Sequence, residues 1–109
     1  MKNNLSFDDV ILIPKKCIVD SRSKINISTK FLGFDFKVPF ISANMSSVTD
    51  IEMSVKLMKL GALPILHRFS DVEETIKKVN TISIQEKGVF GISVGYKDWE
   101  FICEKLLFP

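Results

Sequence analysis

The sequence predicts an α/β protein built of parallel strand–loop–helix units behind an irregular N-terminal extension. From about Val38 onward, short apolar, β-rich runs alternate with amphipathic helical patterns at a spacing of about 25 residues. Such alternation favours parallel strands joined by right-handed helical crossovers. Each strand candidate is followed at once by a polar loop and then by an N-cap signal. Residues 1–37 show neither pattern. They are expected to form an extension packed on the repeats, with residues 38–109 holding the three units.

In the first unit, Val38 to Ile41 is the strand candidate. Thr49, with Glu52 three residues on, has capping-box spacing, and Ile51, Val55 and Met58 make one helical face. Asp50 and Glu52 near the start and Lys56 and Lys59 near the end follow the order that the helix dipole favours. Gly61 suits the left-handed position after the helix. The second unit runs from Ala62 to Leu66, where Pro64 is awkward for a central strand. It continues through the loop His67-Arg68-Phe69. Ser70 and Glu73 then form a second capping box, and Val72, Ile76 and Val79 a second apolar face. The third unit comprises Val89 to Val94, the loop Gly95-Tyr96-Lys97 and a helix from about Asp98, with Trp99, Ile102 and Leu106 facing inward. In the extension, VILIP and FDF/KV read as short strands and PKKCIVDSRS as a polar loop.

Composition narrows the function classes. A net charge of +2 with scattered basic residues argues against nucleic acid as a partner. No apolar run approaches the roughly 18 residues of a membrane span, and MKNNLSFDDV lacks a signal peptide's apolar core. Cys17 and Cys103 are far apart without metal-ligand spacing, and His67 is the single histidine, so no metal site is expected. The expected setting is a reducing cytoplasm.

In parallel α/β folds, ligands bind at the C-terminal ends of the strands. Three loops occupy that position: SANMSS, HRF and SVGYK. Each also has a structural reading. Ser46, Ser47 and Thr49 are good capping residues, His67 suits a packed side chain, and Ser93 and Gly95 allow close backbone packing. Arg68 suits a phosphate or carboxylate as well as a surface ion pair. GISVG lacks the dinucleotide G-x-G-x-x-G spacing. A Ser/His/Asp triad is explained by the abundance of Ser and Asp.

Taken together, FDDVILIPKKCIVDSRSKINIST, VPFISANMSSVTD, ILHRF and ISVGYKD resemble the N-terminal third of the IMP dehydrogenase/GMP reductase family, over nearly the whole chain and in order. PKKCIV, HRF and ISVGYKD are most similar to bacterial GMP reductase, whereas SFDDV and MSSVTD resemble IMP dehydrogenase as well. About twenty residues separate Arg68 from Val89, where most IMP dehydrogenases carry two CBS modules.

The resemblance implies the first three units of a (β/α)8 TIM barrel in a homotetramer that binds a purine nucleotide. It implies NADPH-dependent reductive deamination of GMP to IMP through a cysteine adduct at purine C2. The alternative is IMP oxidation to XMP with NAD. Carried over by motif, Ser42, Asn44 and Met45 would form the nucleotide pocket, with Met45 against the base. Arg68 would contact the dinucleotide, and Ser21 and Arg22 the cofactor of a neighbouring subunit. The family's nucleophilic cysteine, monovalent-cation loop and main phosphate-binding glycines match no residue here. No catalytic residue is therefore assigned, and the 109-residue chain is expected to be an inactive N-terminal fragment. A truncated, non-enzymatic paralogue that binds nucleotide or full-length subunits is the competing expectation.

Overall fold

A computed structural model describes residues 5–107. After short 3-10 turns at Phe7–Asp9 and Arg22–Lys24, the first regular element is an antiparallel hairpin of β1 (Thr29–Phe31) and β2 (Phe34–Phe36). Its two-residue turn places Leu32 at φ 50° and Gly33 at φ 85°. Paired positive φ values match the twist of the flanking strands, and glycine adopts its position without cost. VILIP forms no strand, because nothing in the described residues pairs with it. Phe7 and Leu12 are each 97% exposed.

The rest of the chain alternates strands with helices: α1 (Ile51–Leu60), β3 (Ile65–Leu66), α2 (Val72–Gln85), β4 (Gly91–Ile92) and α3 (Trp99–Leu107). Ile41 bridges Leu63 in parallel, and β3 pairs with β4 in parallel at Ile65↔Gly91 and Leu66↔Ile92. The α/β class is therefore observed. Pro64 sits fully buried between these pairings. Its carbonyl accepts from the Gly91 amide at 2.8 Å, while Leu63 and Ile65 donate to Phe40 and Ser42 of the preceding segment, where the expected strand Val38–Ile41 is reduced to the single Ile41 bridge. A proline is tolerated because its missing N–H falls at the entrance to the β3–β4 ladder.

One core joins the layers. Val55 of α1, Leu66 of β3, and Val79 and Ile82 of α2 are buried together. Ile51, Met58, Phe90, Ile92 and Leu106 pack around them. Phe31, Phe34 and Phe36 of the hairpin line an apolar groove of about 250 Å³ together with Leu63 and Ile65. Gly61 fixes the hairpin to the first helix. It closes α1 at φ 76°, and its carbonyl accepts from the Lys37 amide at 2.9 Å. A Cβ there would lie 2.7 Å from Lys37 Cβ, so both the conformation and the space require glycine.

Several expectations need correction. Asp50, not Thr49, caps α1, and Asp71, not Ser70, caps α2, its Oδ1 accepting from the Glu74 amide at 2.8 Å. Thr49 is wholly buried and bonds elsewhere. The buried row of α2 is Thr75, Val79 and Ile82. Trp99 is half exposed, so α3 docks through Ile102 and Leu106. The radius of gyration is 17.8 Å, against about 13 Å for a compact chain of this length.

Candidate functional site

The three loops beyond the strand ends meet, and the first is braced from beneath by hydroxyls. The Ile65 amide donates to Ser42 Oγ at 3.0 Å. Thr49 Oγ1 lies 2.8 Å from Ser42 Oγ and 2.7 Å from the Ala43 carbonyl. The Ser42 oxygen accepts from the Ile65 N–H and from the Thr49 hydroxyl, whose proton is shared between Ser42 Oγ and the Ala43 carbonyl. Both side chains are buried. The Ser42 hydroxyl thus substitutes for a backbone acceptor just beyond the Ile41–Leu63 bridge.

Above this brace, the Met45 carbonyl accepts from the Val48 and Thr49 amides at 2.9 and 2.8 Å, closing the loop into a turn. Asn44 and Met45 are carried outward by that turn. Asn44 Nδ2 donates to Ser93 Oγ at 2.8 Å, which ties the first loop to the third across 49 residues of sequence. Among the described residues, Asn44 Oδ1 makes no hydrogen bond, and Met45 is 52% exposed. The pair offers an amide and an apolar thioether side by side.

Arg68 is exposed at the next loop, with its guanidinium carbon 5.8 Å from the centre of the Phe69 ring. It lines a cleft of about 220 Å³ together with Ser70, Asp71, Ser93, Gly95 and Asp98. Ser21 and Arg22 lie apart from these loops in sequence and bonding. Ser21 caps the 3-10 turn through the Ser23 amide, and no hydrogen bond among the described residues links either residue to the loops.

His67 is buried beneath the loops, and its Nδ1 accepts from the Phe69 amide at 3.1 Å. A neutral imidazole has one lone-pair nitrogen, so the proton sits on Nε2. Nε2 faces Asp50 Oδ2 at 3.8 Å, with Lys78 Nζ beside it at 3.2 Å. Lys78 donates to Asp50 Oδ2 at 3.1 Å and to Glu74 Oε1 at 3.2 Å. This cluster escaped sequence reasoning, because its members come from α1, β3 and α2 and share no spacing signal.

Burial pushes the Asp50 carboxyl up, but the Lys78 ammonium and the Ile51 amide outweigh it and hold the carboxyl below its ordinary value. Burial likewise pushes Lys78 down, and its bonds to Asp50 and Glu74 more than reverse this. A depressed carboxylate stabilises the fold above its unfolded pKa and loses that contribution as pH falls through the folded one. A raised lysine contributes below its unfolded pKa and loses it as pH rises through the folded one. The pair's contribution should therefore hold from about pH 5 to about pH 9 and fade on both sides. Urea titrations across pH should show Asp50→Asn flattening the acid limb; an unchanged limb would remove the pair from the account.

Neither cysteine sits with the loops. Cys17 is exposed in the extension, with Sγ donating to the Val19 carbonyl at 3.4 Å, and Cys103 is exposed on α3. Among the described residues, no group of three or more His, Cys, Asp or Glu could hold a metal. Within them, no helix is long and apolar enough to cross a membrane.

Comparison with known proteins fits this geometry. Residues 4–89 match a family model described as the IMP dehydrogenase / GMP reductase domain. Curated GMP reductases from Bacillus licheniformis and Bacillus subtilis are 39% and 38% identical over 103 and 104 residues, 93% of this chain in each case. A GMP reductase from Ligilactobacillus salivarius is 41% identical over 96 residues. The inosine 5′-monophosphate dehydrogenase of Legionella pneumophila superposes with a TM-score of 0.75 at 32% identity over 94% of this chain. The chain spans about 30% of the length of the curated relatives and 32% of that structure.

Proposed function

The chain belongs to the IMP dehydrogenase/GMP reductase family, and from that premise we propose that it is the N-terminal part of a purine-nucleotide oxidoreductase of the GMP reductase type. Residues 38–109 then supply the first three units of a (β/α)8 barrel, and residues 1–37 its N-terminal extension. One observation carries the site: the Asn44–Ser93 bond holds two strand-end loops together with Met45 exposed beside it.

In this reading Met45 packs on the purine, Asn44 Oδ1 meets its polar edge, and Ser42 positions both from below. The residues fit a nicotinamide dinucleotide as well. Arg68, a planar cation held over Phe69 at the mouth of a polar cleft, suits a phosphate. In the same reading Ser21 and Arg22, exposed on the extension, serve the cofactor of a neighbouring subunit in a tetramer. The dinucleotide, NADPH in this reading, supplies the hydride for purine C2 when bound.

The covalent step needs a thiolate aimed at C2. Cys17 and Cys103 lie off the loops, so residues 1–109 bind and orient substrate but do not attack it. The Legionella likeness favours a second direction, IMP oxidation with NAD, on the same loops. Incubated with GMP and NADPH, the 109-residue chain should show no GMP-dependent NADPH oxidation. Turnover by this chain alone would overturn the assignment of the nucleophile outside it.

A further inference from the structure

The cluster beneath the loops does more than hold helices together. Lys78 is 12% exposed, and its ammonium reaches Asp50, the residue directly after the Ser42–Thr49 brace. The same ammonium lies 3.2 Å from His67, the residue directly before Arg68, whose Nε2–H faces the same Asp50 oxygen. An ammonium and an N–H are both donors and do not bond each other, so the two loop ends meet at Asp50 Oδ2, which accepts from Lys78 at 3.1 Å and faces the His67 N–H at 3.8 Å. Glu74, one turn earlier on α2, bonds the same ammonium and fixes its direction.

We infer that Lys78 is a positioning residue: it holds the Asp50 carboxylate where its Oδ2 faces the His67 Nε2–H, and so keeps the two loops in a common register. The significance of that register rests on the reading above, in which one loop meets the purine and the other the dinucleotide. The anchoring itself rests on geometry alone. Lys78 is mostly buried, so its two bonds are screened less than those of a fully exposed ion pair, although both carboxylates are about half exposed. Both loops close through amides that report on it. Val48 and Thr49 donate to Met45, Ile51 to Asp50, and Phe69 to His67.

Amide exchange of the 109-residue chain, followed residue by residue by NMR, tests this. Lys78→Met should speed exchange at Val48, Thr49, Ile51 and Phe69 by about tenfold or more, the effect of losing one charge-assisted hydrogen bond. Exchange at Gly91 and Ser93, which pair in the sheet, should stay within about twofold. Lys78→Arg, which keeps the cation and its donors, should restore most of the protection. Asp50→Asn keeps the helix cap but removes the anchored charge, and it should open the same amides if Lys78→Met fails to fold. Uniform acceleration across the sheet, or no change at the loop amides in both variants, would overturn the proposal. No nucleotide enters the experiment, so its result is independent of the functional reading, which the turnover assay tests separately.

Discussion

Leu66→Ala should abolish the folded state of the 109-residue chain, whereas Ile84→Ala should leave it nearly untouched. Leu66 is completely buried between Val55, Val79 and Ile82, and it touches elements from both sides of the core. Truncating such a leucine costs about 2–5 kcal/mol, through lost transfer energy and the cavity left behind. The chain has little to spare. Its expanded radius and the long exposed run from Phe7 to Ile13 leave much apolar surface in water, while small domains are only marginally stable at best. Ile84, also on α2 but 84% exposed, should shift stability by no more than about 0.5 kcal/mol. Helical circular dichroism against urea distinguishes the two. A Leu66→Ala protein with an unchanged midpoint would mean that the core lies elsewhere.

How much of this was legible in the sequence follows from what decides each feature. The apolar runs and the helix period depend on neighbours a few residues away, so the α/β alternation, the Val55–Met58 face and the Gly61 stop were all readable. The caps were not. Thr49-Asp50 and Ser70-Asp71 each offer two adjacent capping residues, and Asp71 with Glu74 has the same spacing as Ser70 with Glu73. Burial breaks the tie. The Thr49 hydroxyl is consumed by Ser42 and Ala43, which leaves Asp50 to cap α1.

The site was half readable for the same reason. The three loops were located by the rule for strand ends, but the bond from Asn44 to Ser93 is a matter of tertiary register. The motif assigns Ser42 to the pocket. Its hydroxyl instead faces the sheet, bonded to Ile65 and Thr49, so any effect on ligand passes through the loop it braces. The extension was the least legible part. FDF forms a strand because TKF lies opposite it, and VILIP does not because no partner segment does.

The second large effect concerns Asn44, and it is measured in a chimera. Residues 1–109 replace the matching segment of the Bacillus subtilis GMP reductase, with which they align over 93% of this chain. The assembled chimera should oxidise NADPH in the presence of GMP. Asn44→Ala within it should raise the KM for GMP about tenfold or more, since it loses the Ser93 bond that holds the loop and, in the proposed reading, a polar contact to the purine. An assembled chimera without GMP-dependent NADPH oxidation, or one in which Asn44→Ala leaves the KM for GMP unchanged, would contradict the claim that these loops form the nucleotide side of the site.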